Sequence, residues 1–415
     1  MSGRLEAGSA HARLAAAGLT ATTILLLTAG LSMLQPLSTD LYLSTLPGIA
    51  AYFNTSVASA QSTLWIFIAA FGTWQLLAGP LSDRFGRYPI VVAGACTYCV
   101  ASVLAMVAPS LEVLVAGRVL QAVGACTCLV GARGFVRDLY APMEGARILA
   151  NAATLMSLAP LIAPLIGAAL YVRYGWRSSF ALLAVFSLLL AFTAAYRLKE
   201  TNVRKNPHAL RWAPMLSTYA TVARSRAFRA YTLAASATYA CVFVILSGSS
   251  FVLINVLGQT PSAFALMLST MVAGYLIGTL ICRRLLAIHG IQRTVCIGAT
   301  LQAVTGIVMA ALALAGVHAP LALGAPMFFL GLSHGLIQPP TQSGAVAPFP
   351  HAAGAAAALL GFLMMLVATL VGIWIGASYN GTVYPLTLTV CACGLASAAI
   401  AFTLVRRDGD ISIHG

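Results

Sequence analysis

The string GPLSDRFGR at residues 79–87 places three charged side chains, of both signs, in a short gap between two long apolar runs. Its glycines permit close approach of the backbone, and Asp83 can form an ion pair or favour the start of a helix. The retention of basic residues beside membrane helices explains the two arginines but not the acid. The string therefore predicts a tight, ion-paired turn that joins two membrane-spanning helices.

The composition of the whole chain supports a membrane protein. Its 415 residues are 60% hydrophobic and 8% charged, with a mean hydropathy of +0.92, whereas soluble domains carry roughly 25% charged residues. The apolar runs lack the strict alternation of an outer-membrane barrel. The N-terminus lacks the short apolar region and cleavage site of a signal peptide, so we expect that no N-terminal segment is cleaved off. The fold class is predicted to be all-α and integral to the membrane.

Hydropathy predicts twelve transmembrane helices in two six-helix bundles. A weak repeat supports the two halves, because GPLSDRFGRYPIVVAG (79–94) and GTLICRRLLAIHGIQRTVCIG (278–298) both place Gly before basic residues. Such halves occur in many secondary transporters. The predicted domains are 1–200, a basic linker at 201–228 that is either solvated or partly helical near Met215–Val222, and 229–415. The predicted spans are 18–45, 60–81, 88–108, 112–133, 148–171, 178–197, 230–254, 262–282, 294–316, 320–344, 354–379 and 384–405.

The distribution of basic residues predicts the orientation. With a cytoplasmic N-terminus, every Lys and Arg except Arg118, Arg173 and Arg177 falls on the cytoplasmic side, as the positive-inside rule requires. We therefore expect both termini in the cytoplasm and a location in a bacterial inner membrane. This rule and anionic lipid headgroups account for the net charge of +14, so no nucleic-acid partner is needed.

Nine cysteines lie mostly within the predicted spans, and their odd number prevents complete pairing. A CxxC (Cys96, Cys99) and two CxC pairs would allow metal or redox chemistry, but no His or Cys cluster in a loop accompanies them. Small apolar thiols are ordinary residues of membrane helices. We therefore expect no metal site.

Arg118 in the fourth span has no basic neighbours and lies more than one turn inside the apolar run. A buried Arg costs about 2.5–3.5 kcal/mol on insertion scales, so an acceptor is expected nearby. The alternative is a side chain that extends to the outer surface beside Glu112. In the fifth span, APLIAPLIG (159–167) has two prolines that remove backbone donors and predict a bend, while its small residues permit tight packing.

These motifs resemble those of the major facilitator superfamily. GPLSDRFGR is similar to its G-x-L-[AS]-D-R-x-G-R signature, and the chain departs from it chiefly at Tyr88, where a third basic residue is common. The R-x-x-Q-x-x-G spacing of residues 118–124 resembles the fourth-helix motif, whose Arg is associated with proton transfer. APLIAPLIG resembles a degenerate G-P-x-x-G-G motif of drug antiporters. The resemblance implies a conformational role for Gly79, Asp83, Arg84, Gly86, Arg87, Pro160, Pro164 and Gly167.

PLSTDLYLSTLPGIA (36–50) and ARGFVRDLYA (132–141) resemble the Bcr/CflA subfamily of drug:proton antiporters, which includes bicyclomycin and phenicol exporters. The chain has Ser44 where that pattern commonly has Pro. Some related multidrug exporters have a second acid where Ser32 stands here. A second coupling carboxylate in the first helix is therefore absent.

Carboxyl groups are scarce along the chain. Its acids are Glu6, Asp40, Asp83, Glu112, Asp138, Glu144, Glu200, Asp408 and Asp410, so the second half has none before its C-terminal tail. Proton coupling requires a group that loses and regains a proton within the membrane, and burial of a carboxyl group brings this exchange toward neutral pH. Asp40, the one charge between Arg13 and Asp83, is the best candidate, with Arg118 as its counter-charge. Its depth depends on the bend at Pro36.

Two further ionisable residues are weighed beside Asp40. His334 in the tenth span titrates in a useful range, but a lone membrane His is more often a neutral hydrogen-bonding group. Asp138 lies beside Arg133 and Arg137 in the sequence, which favours a structural ion-pair cluster. Span depth and residue type predict a substrate pocket formed by Gln35, Tyr42, Gln121, Asn151, Met156, Tyr239, Phe362 and Met365. The alternative for each of these residues is plain helix packing.

The sequence as a whole predicts a monomeric antiporter that exports a small amphipathic drug. The expected partners are this small molecule, protons and membrane lipid, with the proton gradient as energy source and no cofactor. The lack of a G-x-x-x-x-G-K-[ST] loop argues against an ATP-driven pump. A proton-coupled symporter or exporter of a metabolite would share most of these motifs and remains an alternative. A membrane-embedded enzyme would need a nucleophile or metal cluster, and the sequence shows none.

Overall fold

Long apolar runs form helices throughout the computed structural model, which describes residues 20–202 and 205–409. The predicted start of the first span at residue 18, and the acids Glu6 and Asp410, lie outside these residues. Several helices begin where the sequence supplies a hydroxyl group. Thr20, Ser56 and Ser225 each accept a hydrogen bond from the backbone N–H three residues later, which satisfies a donor that has no partner inside the helix.

The regular elements of the described residues are all helical. They are α1 (Ala21–Asp40), α2 (Leu46–Tyr52), α3 (Val57–Phe85), α4 (Arg87–Met106), α5 (Leu111–Leu139), α6 (Pro142–Met156), α7 (Leu158–Tyr174), α8 (Arg177–Arg197), α9 (Trp212–Arg224), α10 (Arg226–Ser250), α11 (Pro261–Leu314), α12 (Pro320–Val346), α13 (Ala353–Ser378), α14 (Tyr384–Ile400) and α15 (Arg406–Asp408). Single π-helical segments, Phe251–Val256 and Ala401–Val405, extend α10 and α14.

Eleven stretches of helix in the described chain are long and apolar enough to cross a membrane. One of them, α11, has 54 residues and bends at Gly290, where φ is 72°. At 1.5 Å per residue a helix of that length is far longer than the hydrocarbon core of a bilayer, about 30 Å thick. The bend divides α11 into two crossings, so the described residues hold twelve spans, as the hydropathy predicts.

Two spans differ from continuous helices. The first contains α1, a short 3₁₀ turn (Leu43–Thr45) and α2, so it extends to Tyr52 and α1 itself ends at Asp40. The fifth contains α6 and α7, with the break at Ser157. Pro160 lies three residues after this break, in the first turn of α7, and its missing N–H cannot continue the hydrogen-bond ladder of α6. Pro164 removes a second donor, from the interior of α7.

The helices pack mainly within two groups. In the first half α4 packs against α5 and α8, and α3 packs against α5; in the second half α11 packs against α12 and α14, and α10 against α12 and α13. The two halves meet where α3 packs along α13 and where α7 packs on α11. Helix α9 lies in the connection between the halves, and its Tyr219 hydroxyl donates to the carbonyl oxygen of Leu76 in α3 at 3.0 Å.

Candidate functional site

A cavity of 770 Å³ lies between the two halves. Residues of α1, α3, α5, α6, α7, α10, α11, α12 and α13 line it. We call the end of the bundle with the turn at Gly86 and helix α9 the linker end, and the opposite end the far end. The cavity runs from Asp40 to Arg133, Val346 and Ala357 near the linker end. At the far end the halves are in contact, because Gln61 Nε2 donates to the Ser247 carbonyl oxygen at 2.9 Å.

Asp40 lies at the inner end of this cavity, where α1 ends. Its side chain is buried and accepts a hydrogen bond from the Thr39 hydroxyl at 2.9 Å. The Thr39 hydroxyl also contacts the carbonyl oxygen of Pro36 at 2.9 Å, which holds Thr39 against the last turn of the helix. In the described part of the chain the carboxylate forms no ion pair. One carboxyl group thus faces the cavity with a neutral partner.

Arg118 lies in a separate buried cluster. Its Nε donates to the Thr63 carbonyl oxygen at 3.0 Å and its Nη1 to Gln121 Oε1 at 2.9 Å. The guanidinium group also lies over the rings of Tyr42 and Phe67, 4.5 and 4.3 Å from their centroids. Arg118 therefore has acceptors in the protein and does not extend to the surface beside Glu112. In this conformation it does not pair with Asp40, because Tyr42, two residues further on, contacts the guanidinium group instead.

The motif at 79–87 forms an ion-paired turn at the linker end. Arg87 Nη2 lies 2.7 Å from Asp83 Oδ1, and Arg87 Nε lies 3.0 Å from Asp138 Oδ2. Asp138 thus pairs with Arg87, which is remote in sequence, while its sequence neighbour Arg137 lies 3.6 Å from Asp83. The connection between the halves also contacts this turn, since Glu200 accepts from the Arg87 backbone N–H at 2.9 Å.

Gly86 allows the turn to be this tight. Its φ is 110°, and a Cβ atom there would lie 2.0 Å from Glu200 Oε2, so both conformation and space favour glycine. A Cβ atom at Gly79 would meet nothing within 4 Å, and Arg84 lies over the ring of Phe85 at 5.3 Å. The core of the ion-paired turn is therefore Asp83, Gly86 and Arg87.

The predicted pocket residues fall into three groups. Gln35, Met156, Tyr239 and Met365 line the cavity. Tyr42 and Gln121 belong to the Arg118 cluster, where Gln121 Nε2 donates to the Ser102 hydroxyl at 2.8 Å. Asn151 is exposed and Phe362 is partly buried, and neither lines the cavity. Of the fifth-span residues, Pro160 lines the cavity and Gly167 packs against the backbone of Leu41.

The cavity has further lining residues that the sequence did not predict as part of a pocket. Arg133 is exposed to the cavity and has no ion-pair partner among the described residues. His334 lines the cavity with its ring 5.5 Å from that of Tyr275 and 6.3 Å from that of Tyr239. Arg133 lies four residues after Leu129, another lining residue. Residues four apart share one face of a helix, so this spacing was the available sign that Arg133 faces the cavity. The two rings that contact His334 belong to α10 and α11, so the sequence around His334 could not predict these contacts.

The cysteines do not form a site of their own. All nine are free. Within residues 20–202 and 205–409 no group of three or more His, Cys, Asp or Glu side chains is arranged to hold a metal ion.

A profile of the Major Facilitator Superfamily matches residues 28–373, which include the turn at 79–87, Asp40, Arg118 and the cavity. The chain belongs to the Major Facilitator Superfamily. It is therefore a multi-pass membrane transporter of small molecules and not an enzyme, and the resemblance of its motifs to this superfamily is confirmed. The match extends through most of both halves, so it covers the elements that form the cavity.

Two curated relatives align with more than nine-tenths of this chain. A chloramphenicol resistance protein of Pseudomonas aeruginosa is 29% identical over 384 residues, covering 91% of this chain and 90% of the relative. A bicyclomycin resistance protein homolog of Haemophilus influenzae is 25% identical over 390 residues, covering 93% and 97%. Both relatives are named for resistance to an antibiotic.

Solved superfamily members have the same fold. A D-xylose-proton symporter has a TM-score of 0.72 at 16% identity, covering 94% of this chain and 98% of its own. A bacterial homolog of the human lysosomal transporter Spinster, in an inward-facing and occupied conformation, has a TM-score of 0.71 at 15% identity, covering 93% and 97%. At these identities the likeness concerns the fold alone, and it confirms the major facilitator architecture.

Proposed function

We propose that this transporter is a proton-coupled antiporter that exports small amphipathic drugs such as bicyclomycin- or phenicol-type antibiotics, as a member of the Bcr/CflA subfamily. One observation carries the proposal: Asp40 is the single carboxyl group that lines the cavity among the described residues. A proton carrier must meet both the substrate and the protons, and a carboxyl group in the substrate cavity meets both conditions. The names of the two antibiotic-resistance relatives support the class of substrate.

In the proposed cycle, Asp40 is deprotonated when the cavity is open at the linker end and binds the drug. Protonation from the other side of the membrane then releases the drug and resets the transporter, since each ligand shifts the equilibrium between the two conformations. Arg118 is the proposed counter-charge in a conformation where the segment after Asp40 rearranges. Tyr42 in that segment touches Arg118, so movement there changes the surroundings of both charged groups.

The lining of the cavity fits an uncharged amphipathic molecule. Apolar residues such as Phe71, Leu268 and Met271 provide most of the wall, while Gln35, Gln75 and Gln338 supply amides that both donate and accept hydrogen bonds. The two full charges, on Asp40 and Arg133, are opposite in sign. The cavity is therefore electrically balanced when Asp40 is ionised, which favours neutral or zwitterionic substrates over multiply charged ones.

The proposed setting is a bacterial inner membrane, with both termini in the cytoplasm and the proton gradient as the energy source. In this orientation the linker end, with Arg84, Arg87, Arg137 and most other basic residues, faces the cytoplasm, as the positive-inside rule requires. The cavity then lies on the cytoplasmic side of the contact between Gln61 and Ser247, where an exporter collects its substrate. We propose that the functional unit is a monomer, because the cavity lies within one chain.

The test is chloramphenicol export from proteoliposomes with an imposed pH gradient, together with a fluorescent readout of proton movement. We expect the wild type to couple the two fluxes and Asp40→Asn to lose proton-coupled transport. Glu112→Gln is the matched control, because Glu112 is an exposed carboxyl group outside the cavity, and it should transport normally. Proton-coupled transport by Asp40→Asn at the wild-type rate would refute Asp40 as the carrier.

A further inference from the structure

A chain of three polar side chains from three helices of the second half ends at the cavity, which its last member, His334, lines. Gln302 Nε2 of α11 donates to the Thr238 hydroxyl of α10 at 3.0 Å. The same hydroxyl lies 3.1 Å from Nδ1 of His334 in α12. Gln302 and Thr238 are fully buried, and His334 is 9% exposed. This relay has no role in the proton path proposed for Asp40.

The order of donors along the relay favours one imidazole tautomer. Gln302 donates through its amide, so the Thr238 oxygen acts as an acceptor toward it. The hydroxyl of Thr238 has one hydrogen to donate, and His334 Nδ1 is the acceptor within reach. A bare Nδ1 leaves the proton of the neutral ring on Nε2. A second ring proton, on Nδ1, would leave the Thr238 hydrogen without an acceptor.

The relay turns one polar atom of His334 toward the cavity. Nδ1 faces Thr238, and in the described part of the chain Nε2 has no hydrogen-bond partner. The ring lines the cavity beside Tyr239 and Tyr275, which restrict its rotation. An N–H donor is thereby held toward the cavity by packing on its sides and by a hydrogen bond behind it, as a preorganised binding group requires.

We propose that His334 is a specificity-determining residue whose Nε2–H donates a hydrogen bond to an acceptor oxygen of the substrate, such as a carbonyl, nitro or sulfonyl oxygen. The identity of the substrate rests on the proposed drug export, whereas the tautomer rests on the hydrogen bonds of the relay alone. Ionised Asp40, from the first half, accepts from a hydroxyl or amide N–H of the same molecule. The class of substrate is thus an uncharged molecule with a hydrogen-bond donor and an acceptor, each held by one half of the transporter.

The tautomer is tested on the full chain in lipid nanodiscs, without any ligand. Histidine is labelled with ¹⁵N, and the ring signals of His334 are identified by their loss in His334→Gln. We expect a protonated Nε2 and a bare Nδ1 at neutral pH. Thr238→Val should change the Nδ1 shift, and Thr238→Ser should preserve it. A proton on Nδ1 in the wild type, alone or together with one on Nε2, would overturn the proposal.

The binding role is tested with chloramphenicol, whose dissociation constant is measured on the purified full-length protein. We expect His334→Leu to weaken binding about tenfold, as expected when one acceptor is left unpaired, and His334→Gln, which keeps an N–H donor, to stay within about threefold. His351→Leu is the control, because His351 is exposed and outside the cavity. Thermal unfolding of each variant shows that it is folded.

The two experiments separate the two proposals. If His334→Leu binds chloramphenicol as tightly as the wild type, the donor role of His334 is wrong whatever the protein transports. If the wild type does not bind chloramphenicol, phenicol export is wrong, and the ring spectrum still decides the tautomer. A protonated Nε2 together with weakened binding in His334→Leu and retained binding in His334→Gln supports both.

Discussion

Arg118 is a full charge in the membrane interior that no carboxylate in the described chain neutralises. One backbone oxygen, one amide oxygen and two aromatic faces surround it instead. Cation–π contacts strengthen when water is excluded, so Tyr42 and Phe67 contribute to the burial of the charge. Because a planar guanidinium group can stack and donate at once, the cluster is specific for Arg rather than for a positive charge.

At this site we expect Arg118→Lys to destabilise the protein although the charge is retained. The ammonium group of Lys cannot keep both hydrogen bonds and both ring contacts, and the expected loss in the free energy of unfolding is about 2 kcal/mol or more. Thermal unfolding in detergent measures it. Arg173→Lys is the control, since Arg173 is exposed near the far end and should unfold like the wild type. Equal stability of the two variants would contradict this account of the cluster.

Among the elements, the end of α1 packs closely against α7. Gly167 of α7 packs so closely that a Cβ there would lie 1.8 Å from the Leu41 carbonyl oxygen. The segment that follows Asp40 therefore has room at this position because the fifth span carries no side chain there. Hydropathy found both spans because their apolar runs are long, but the sequence around Leu41 holds no sign of the contact. This contact comes from tertiary packing, whereas the break at Ser157 has a local cause, because Pro160 cannot donate a hydrogen bond to the preceding turn.

We expect Gly167→Ala to displace the segment after Asp40 and so to reduce transport strongly. The clash involves backbone atoms, which cannot rotate away, and the expected loss in the free energy of unfolding is about 1–3 kcal/mol. Gly354→Ala is the matched control, because a Cβ at Gly354 of α13 meets nothing within 4 Å. Drug export and thermal unfolding measured on both variants test the contact. A fully active Gly167→Ala would show that the position of this segment does not matter for transport.

In the whole molecule, the two halves contribute different chemistry to one cavity. The first half supplies Asp40 and Arg133, and the second supplies His334 and Tyr239. The sequence predicted the carboxyl group because acids are rare in the spans, and it predicted the superfamily from the turn at 79–87. It did not place Arg133 in the cavity or separate Tyr42 from it, because hydropathy gives the depth of a residue but not the direction of its side chain around the helix.

Arg133 should set the charge of the molecules that the cavity accepts. A cationic drug meets attraction from Asp40 and repulsion from Arg133, and removal of the repulsion should favour it. We expect Arg133→Gln to bind the amine obtained by removing the acyl group of chloramphenicol about fivefold more tightly, a change of about 1 kcal/mol. Binding of neutral chloramphenicol should change less. Arg133→Lys keeps the charge and serves as the control. If Arg133→Gln binds the amine no better than Arg133→Lys does, charge balance in the cavity does not select the substrate.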